Sequence, residues 1–574
     1  MKNINRFLKV LLSATLLISC NDGFLERYPL DEVTSKTFWV SENDLSSYTA
    51  TIYTYVPTHW DLLWDDEVSD NMAPATYNDI AAGLHTASTG TWDWSYLRKL
   101  NIFLDNYKKA NVSDEIKNEY AAEVRFFRAW MYFDRVVKYG DVPWVDHELN
   151  VTNDEILYGK RTPRNEVMDH VIQDLNFAVE HLPTERQEGR INKYAALHLK
   201  ARICLFEGTY RKYHKSGDPT VYLRQAAEAA EVIINSEKYS LYSTGDINMD
   251  YRQLWITKDL KNNPEMIFYK QYDHDLLGHG NTPSRTIPFD NNGFTKDIVD
   301  DYLCTDGKVI GLSPIYKGNQ TLDDEFANRD PRLTQTIVAP GVFFFKECND
   351  DEIVPRLYVA SGYGSATSTG YHWMKGYNLE DEQNYGKADT DLPVFRYAET
   401  LLNYAEAKAE LNEIAQHDID SSINLLRKRV GMPNMVISEL QRDPHSDMTK
   451  AAGYLDEEVP VLLEEIRRER RVELAAEGFR RRDLLRWRAG KFYEKPVLGA
   501  RWSYFLNLKK VDGTPLYKKS SVGIDIFINS EGYIEPYQKS LPKGRSFDPQ
   551  KHYLEAIPLG EIALNPNLGQ NPGW

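Results

Sequence analysis

The most informative stretch for the architecture is residues 113–143, which read SDEIKNEYAAEVRFFRAWMYFDRVVKYGDVP. One apolar stripe at helical spacing is formed by Phe126, Trp130, Phe133 and Val137, and a second by Val124, Phe127 and Met131. Gly140 and Pro143 end the pattern, because glycine permits a left-handed stop and proline cannot continue a helix. The stretch therefore predicts a long helix that is apolar on two faces and lies between neighbouring helices.

Helical periodicity returns in several later segments. The pair Thr162-Pro163 begins a helix that closes near Pro183, and a partner helix follows at once. Two helices joined by about ten residues form an antiparallel hairpin. The later predicted helices are Lys193–Gly208, Val221–Asn235, Pro393–Leu411, Asp418–Val430 and Val459–Ala489. Hairpins of this length, with small residues at their contacts, are typical of tetratricopeptide-like repeats and predict a mainly α protein.

The length and composition indicate a large folded protein with long loops. The chain has 574 residues, of which 42% are hydrophobic and 27% charged, close to the globular average. Residues 240–391 and 501–549 are rich in Gly, Asn, Asp, Pro and aromatic residues and have little helical period. Loops beyond about 15 residues are usually functional. We predict a helical scaffold at about 40–240 and 392–490, a loop-rich ligand region at about 240–391 and a C-terminal loop region at 491–574.

The charge balance excludes one class of partner. The chain carries 68 Lys and Arg against 85 Asp and Glu, a net charge of −17. A nucleic-acid backbone has to be neutralised by clustered Lys and Arg. We therefore expect no nucleic-acid partner and a neutral or cationic ligand.

The N-terminus has the pattern of an exported lipoprotein. The basic segment 2–9 precedes an apolar run at 10–18, which is too short to span about 30 Å of hydrocarbon as a helix. Residues 1–19 are predicted to be a signal peptide, and 17–20 (LISC) is similar to a bacterial lipobox. In this interpretation Cys20 carries a lipid that anchors the mature chain in a membrane. The alternative is an ordinary signal peptide followed by an ordinary cysteine.

The remaining cysteines do not predict a metal site. Cys204, Cys304 and Cys348 lack CxxC spacing and are odd in number, so neither a zinc site nor a complete disulfide framework is indicated. Pairing of Cys304 with Cys348 stays open, because the sequence does not give their distance. We expect neither a metal nor a cofactor.

Short motifs occur in a fixed order along nearly the whole chain. They are Cys20 with 24–29 (FLERYP) and 37–39 (TFW); 123–130 (EVRFFRAW) with 139–143 (YGDVP); 395–402 (FRYAETLL) with 404–407 (YAEA); 469–474 (ERRVEL) with 477–478 (EG); 483–487 (DLLRW); 557–558 (IP); and 570–574 (QNPGW). Together these motifs resemble the SusD/RagB family, surface lipoproteins of Bacteroidetes that capture nutrients for a TonB-dependent transporter.

The resemblance implies a right-handed superhelix of tetratricopeptide-like hairpins with a long loop-rich insertion. It implies ligand capture on the loop side and one long face packed on the transporter barrel. The expected protein is a surface-exposed lipoprotein of the outer membrane with a SusC-like TonB-dependent transporter as partner. Oligosaccharides are the commonest cargo of such pairs, and peptides remain an open alternative.

Several charged motif residues have a structural interpretation. They are Arg125, Arg128, Glu399, Glu406, Glu469, Arg470 and Glu473. Their signs alternate at helical spacings, which predicts ion pairs between stacked hairpins rather than catalysis.

A first candidate binding cluster lies in the segment 65–96. Sugars present flat C–H faces and hydroxyl groups, so a carbohydrate site needs aromatic platforms and fixed polar groups. Asp70, Trp92 and Trp94 supply both in a setting rich in Gly, Ser and Thr. Trp94 also begins a helical pattern, so a core position explains it equally well. Asn43 is a weaker candidate, because it also suits a helix N-cap.

A second candidate cluster follows Gly370. Tyr371, Trp373 and Lys375 stand beside glycines, which favours aromatic platforms on an exposed backbone. Two aromatic residues at i and i+2 also suit a half-buried strand. Cys304 is added because the adjacent Asp-Gly turn would bring it to the same loop surface, although a buried thiol is the usual alternative.

No catalytic motif accompanies these clusters. The sequence has no nucleophile elbow, HExxH motif or P-loop, and its 85 acidic residues single out no carboxylate pair. We predict a non-catalytic, glycan-binding protein. An all-helical polysaccharide hydrolase or lyase and a ligand-free helical scaffold are the alternatives.

Overall fold

The computed structural model describes residues 38–340 and 367–574, apart from 89, 151, 186, 281–291, 379, 382–383, 385, 510–512 and 516. The predictions on the signal peptide, on lipidation of Cys20 and on pairing with Cys348 lie outside these residues.

Helices make up most of the regular structure. The first set is α1 (Glu42–Ala50), α2 (His59–Glu67), α3 (Asp79–Ala82), α4 (Ser95–Asn106), α5 (Asp114–Tyr139), α6 (Asp154–Leu157), α7 (Arg164–His181), α8 (Lys193–His214), α9 (Thr220–Asn235) and α10 (Asp250–Gln253). The second set is α11 (Lys296–Asp301), α12 (Leu322–Phe326), α13 (Arg332–Thr336), α14 (Tyr397–Glu410), α15 (Gln416–Asp420), α16 (Ile423–Arg429), α17 (Val461–Glu473), α18 (Arg480–Arg486), α19 (Trp502–Phe505) and α20 (Leu559–Leu564). Among the described residues, no helix has both the length and the apolar character needed to cross a membrane.

The long central helix forms as predicted. The Ser113 hydroxyl caps α5 by accepting a hydrogen bond from the Ile116 amide at 3.4 Å. Gly140 ends the helix with a left-handed φ of 73°, a conformation that glycine adopts without steric cost. Both apolar stripes are buried because α5 packs between α4 and α7.

Antiparallel hairpins stack on this helix. Helix α8 packs on α7, α9 and α14, and α14 packs in turn on α17. One cluster of buried apolar residues runs through these helices and forms the main core. The predicted class, a mainly α scaffold of tetratricopeptide-like hairpins with a loop-rich insertion, is confirmed.

Within the described ranges, two small antiparallel sheets join segments that are far apart in sequence. Strand β1 (Met72–Ala73) pairs with β3 (Gly293–Phe294), and β2 (Met266–Lys270) pairs with β4 (Leu392–Arg396). The predicted helix start at Pro393 is wrong, since this short apolar run forms β4 and α14 begins at Tyr397. Periodicity alone does not separate a short buried strand from a helix.

Two predicted helices are divided. Residues 459–489 form α17 and α18, separated where Ala476 and Gly478 adopt left-handed φ values of 60° and 76°. Residues 418–430 form α16 and the end of α15. The turn at Gly478 matters for the site below, because it lies beside helix α2.

Buried ion pairs cross between the hairpins and the loop region. The carboxylate of Glu473 on α17 accepts hydrogen bonds from Arg332 at 2.9 Å and from Arg396 and Arg429 at 2.7 Å. Other motif residues form the pairs Arg128–Asp174, Glu399–Arg202, Glu406–Arg486, Glu469–Arg427 and Arg470–Asp483. The predicted ion-pair role of these motif residues is confirmed.

Candidate functional site

The second predicted cluster lies in the protein interior. Tyr371 and Trp373 are 1% and 4% exposed and belong to a second apolar core cluster beneath the loops. Trp373 forms an isolated β-bridge with Ile337, and the Tyr371 hydroxyl donates to both carboxylate oxygens of Glu325 at 2.9 and 3.0 Å. The expectation that neighbouring glycines hold these rings on an exposed backbone is wrong.

Lys375 and Cys304 are buried as well. The Lys375 ammonium donates to the Tyr251 hydroxyl at 2.7 Å, the Ala475 carbonyl at 2.8 Å and the Glu477 carboxylate at 2.6 Å. Burial lowers its pKa to about 8, although Glu477 opposes the shift. The Cys304 amide closes a turn onto the Lys308 carbonyl at 2.8 Å, and its side chain is inaccessible. Neither side chain is available as a surface contact.

The burial of the Glu325 carboxyl predicts a pH-dependent stability, although the hydrogen bond from Tyr371 opposes the pKa shift. Burial raises the pKa of Glu325 to about 7, so the folded protein holds a proton that the unfolded chain releases near its ordinary value of 4.5. Stability is therefore lost as the pH rises from about 4.5 through about 7, by up to roughly 3 kcal/mol. Glu325→Gln, which resembles the protonated acid, should remove this part of the slope in denaturant titrations at acidic and alkaline pH. An unchanged slope in the variant would contradict the assignment.

Of the other two candidates, Asp70 has a structural partner and Asn43 is exposed. Asp70 is buried and forms a bidentate ion pair with Arg480 at 2.7 and 2.8 Å. Burial alone would raise the pKa of Asp70, but Arg480 and Arg471 lower it to about 2. Asn43 is exposed on α1 and is not the N-cap, since Ser41 caps the helix through the Asp44 amide.

Trp92 and Trp94 lie side by side and are half-buried. Their rings meet edge to face at 5.3 Å, and Trp92 packs in the same way on Tyr139 of α5 at 5.0 Å. Trp94 immediately precedes α4, with the Arg135 guanidinium 5.7 Å from its ring centre. Both side chains pack on the main core and are partly exposed.

A different tryptophan pair is exposed. All 12 tryptophans lie in the described residues, and only Trp60 and Trp64 have large exposed fractions, 50% and 44%. Both belong to α2, one helical turn apart, so their positions are separated by about 6 Å along the helix axis. His59, Leu63 and Asp66 form the buried side of the same helix. We call the surface of Trp60 and Trp64 the tryptophan face.

A cavity of about 410 Å³ opens beside the tryptophan face. Asp61, Leu62 and Asp65 of α2 line one wall. Aromatic side chains from other elements complete the lining, namely Tyr55, Trp130, Phe133, Phe206, Trp255 and Phe479. Helix α2 therefore has two exposed aromatic rings on one side, and on the adjacent side it has two carboxylates that line the cavity.

The sequence carried a signal for this site that our prediction missed. In 59–67 (HWDLLWDDE) the tryptophans stand at i and i+4, which is the spacing of one helix face. The buried side of the helix contains the polar residues His59 and Asp66, so hydropathy does not identify which side faces outward. Because polar residues lie on the buried side of α2, hydropathy alone does not predict that Trp60 and Trp64 are exposed.

Stacked hairpins and long loops define a helical-hairpin protein, and an exposed aromatic pair lies beside a cavity with aromatic and charged walls. Comparison with known proteins gives the family. A sequence model described as the SusD family matches residues 264–574, and one described as starch-binding, associating with the outer membrane, matches residues 25–205. The first match covers more than half of the chain, so the protein belongs to the SusD family.

Individual relatives agree over most of the chain. The SusD-like protein P2 of Formosa agariphila is 25% identical over 496 residues, covering 84% of this chain and 80% of that protein. A SusD-like carbohydrate-binding protein of Bacteroides fragilis is similar in structure, with a TM-score of 0.72, 24% identity and coverage of 93% and 100%. Surface glycan-binding protein A of Bacteroides fluxus has a TM-score of 0.59, 19% identity and coverage of 93% and 100%. At these identities the solved structures show a common fold.

Proposed function

We propose that this protein captures oligosaccharides at the cell surface and delivers them, chemically unchanged, to a TonB-dependent transporter of the outer membrane. The observation that carries the proposal is the tryptophan face. Large apolar rings are normally buried, and a contiguous exposed aromatic surface marks an interaction site. The family descriptions and the carbohydrate-binding relative support a glycan as the ligand.

The chemistry of the tryptophan face suits a sugar chain. Two indoles one turn apart on α2 offer flat apolar surfaces to successive sugar rings, since stacking uses the C–H faces of each ring. Asp61 and Asp65, on the neighbouring side of the helix, provide acceptors for hydroxyl groups. Trp92 and Trp94 remain a second proposed platform because each is partly exposed.

Truncation of the tryptophan face should reduce affinity without reducing stability. By analogy with the stacking of planar ligands on aromatic side chains, Trp60→Ala and Trp64→Ala should each cost about 1–3 kcal/mol of binding. This corresponds to a loss of roughly five- to hundred-fold in affinity. The melting temperature should barely change, because an exposed ring leaves no core cavity. A glycan array identifies the ligand, and calorimetric titration measures the variants.

A matched control is Tyr158→Ala, which removes a similarly exposed ring, 54% accessible, from another surface. This variant should bind glycan as the wild type does. Equal affinity in all three variants would remove the tryptophan face from the site. Products released from the bound glycan would favour the hydrolase or lyase alternative, and the absence of any bound glycan would favour the scaffold alternative.

The proposed anchor has its own test. In cells that lack the transporter, Cys20→Ala should release the protein from membranes into the soluble fraction, because the substitution removes the proposed lipid. Its melting temperature and glycan affinity should equal those of the wild type. Retention of the whole population in the membrane fraction would refute lipidation at Cys20. Copurification of a TonB-dependent transporter with the wild-type protein tests the delivery step.

A further inference from the structure

We propose that the cavity beside the tryptophan face holds a sugar unit with a protonated amino group, so that the captured glycan contains unacetylated amino sugar. The inference rests on the proposed function and adds the chemical class of the ligand. It follows from the charges that remain in the cavity once every ion pair in its lining is accounted for.

Most charged groups in the cavity lining are neutralised by close partners. Arg202 pairs with Glu399, Arg482 pairs with Asp134 at 3.0 Å, and Glu477 pairs with Lys375 and Arg396. The remaining lining pairs are Arg470–Asp483, Arg486–Asp483 and Arg486–Glu406. Each basic lining residue therefore already has a carboxylate partner.

Asp61 and Asp65 are the two carboxylates left over. One oxygen of Asp61 accepts hydrogen bonds from the Thr58 amide and hydroxyl, both at 2.7 Å, as part of the helix cap. Asp65 accepts no hydrogen bond and has no cation within 4 Å among the described residues, since Arg482 and Arg481 act on it from a greater distance. The Lys270 ammonium, which donates to the Val56 carbonyl at 3.1 Å, interacts electrostatically with Asp61, so Asp65 is the lining carboxylate that lacks a direct cationic partner.

The surroundings of Asp65 favour a ligand over a further side-chain partner. Gly478 lies against Asp65, and a Cβ at that position would approach the Asp65 Cβ at 3.2 Å. Burial raises the pKa of Asp65, while Arg482 and Arg481 lower it. Both arginines are already engaged, Arg482 with Asp134 and Arg481 with Glu555 at 2.9 Å. A cation supplied by a ligand would be the direct partner that this carboxylate lacks.

A second unsatisfied group lies on the same lining. Trp255 is 6% exposed, and its indole Nε1 has no hydrogen-bond partner among the described residues. A buried donor without an acceptor is costly, and a ligand hydroxyl or a bridging water would supply the acceptor. The cavity lining thus supplies neither a direct cationic partner for Asp65 nor a hydrogen-bond acceptor for the Trp255 indole.

An amino sugar matches these two requirements and the cavity walls. Its ammonium group would pair with Asp65, and its hydroxyl groups would serve the remaining donors and acceptors. Aromatic rings in the walls, Tyr55 among them, add apolar surface for the sugar ring. A uronic acid would place a second negative charge beside Asp61 and Asp65 and should be rejected. The net charge of −17 also favours a cationic ligand.

The test compares three tetrasaccharides on one β-1,4 backbone: the glucosamine tetramer, its fully N-acetylated form and cellotetraose. At mildly acidic pH the wild type should bind the glucosamine tetramer at least about tenfold more tightly than the other two, because a hydrogen bond to a charged group is lost in both. Asp65→Asn should remove the preference and leave the weaker affinities unchanged. Glu228→Gln, an exposed carboxylate on α9, should behave as the wild type.

Each other outcome overturns the inference. Equal binding of the three tetramers by the wild type, or a preference that persists in folded Asp65→Asn, would show that Asp65 does not hold an amine. If Asp65→Asn does not fold, Asp65→Ala provides the same comparison, because it removes the charge at the same position. Tighter binding of trilysine than of the glucosamine tetramer would assign the cavity to a peptide. Binding of cellotetraose without an amine preference overturns this inference alone, whereas no glycan binding at all overturns the proposed function too.

Discussion

Glu473→Gln is expected to destabilise the protein by about 3–5 kcal/mol or more, the largest loss we expect from a single conservative substitution. The Glu473 carboxylate is fully buried and accepts hydrogen bonds from Arg332, Arg396 and Arg429. An amide cannot neutralise three guanidinium groups, so the variant would leave buried positive charge uncompensated. The three arginines belong to α13, β4 and α16, so the loss would loosen the loop region and the hairpins together.

The pH dependence of the same contact gives an independent readout. Burial would raise the pKa of Glu473, but Arg429, Arg396 and Arg332 hold it far below the ordinary value of 4.5. A depressed carboxyl pKa contributes stability above 4.5 that is lost as the pH falls below this value. Thermal and denaturant melts of the wild type should therefore show this acid destabilisation, and the variant should show less of it.

The control for this experiment is Glu228→Gln, which makes the same chemical change at an exposed position of α9. Its melting temperature should stay within the range of surface substitutions, about 0.5 kcal/mol. If Glu473→Gln has the same melting temperature as Glu228→Gln, the three buried arginines do not depend on the Glu473 charge. The ion-pair interpretation of the family motif at 469–474 would then fail.

The scaffold could be predicted from sequence because its signals are local and repeated. The apolar stripes of 124–137 and the Gly140 stop specify α5 without knowledge of its neighbours. The short elements could not be predicted in this way. Residues 392–396 form a strand by pairing with β2, which is far away in sequence. Likewise, Ala476 and Gly478 interrupt a continuous helical pattern through left-handed backbone conformations that periodicity does not report.

The binding site was harder to predict because burial in loops depends on tertiary contacts. Tyr371 and Trp373 alternate at i and i+2, and a platform and a half-buried strand share this pattern. The structure selects the buried alternative because loop residues such as Ala500 and Phe505 pack on the same cluster. Trp60 and Trp64 on α2 were not predicted, because the buried His59 removes the usual difference in hydropathy between the buried and exposed sides of a helix.

Trp373→Ala is therefore expected to reduce stability, by about 3–5 kcal/mol, and to leave glycan affinity unchanged in the folded fraction. The ring is 4% exposed and lies in the second core cluster, so truncation leaves a cavity that the surrounding loops only partly fill. Trp130→Ala should give a similar loss in the main core, where Trp130 is 6% exposed. Thermal melts beside calorimetric titration with the array-identified glycan measure both quantities.

The informative comparison is with Trp60→Ala, for which the opposite pattern is expected: affinity falls and the melting temperature holds. The two variants remove the same side chain, so their difference reports position alone, with Trp60 50% exposed and Trp373 buried. A Trp373→Ala protein that keeps its melting temperature but loses affinity would move the binding surface to residues 371–375. Truncating an exposed ring affects binding, whereas truncating a buried ring affects stability. The two variants together therefore show whether the binding site lies at α2 or at residues 371–375.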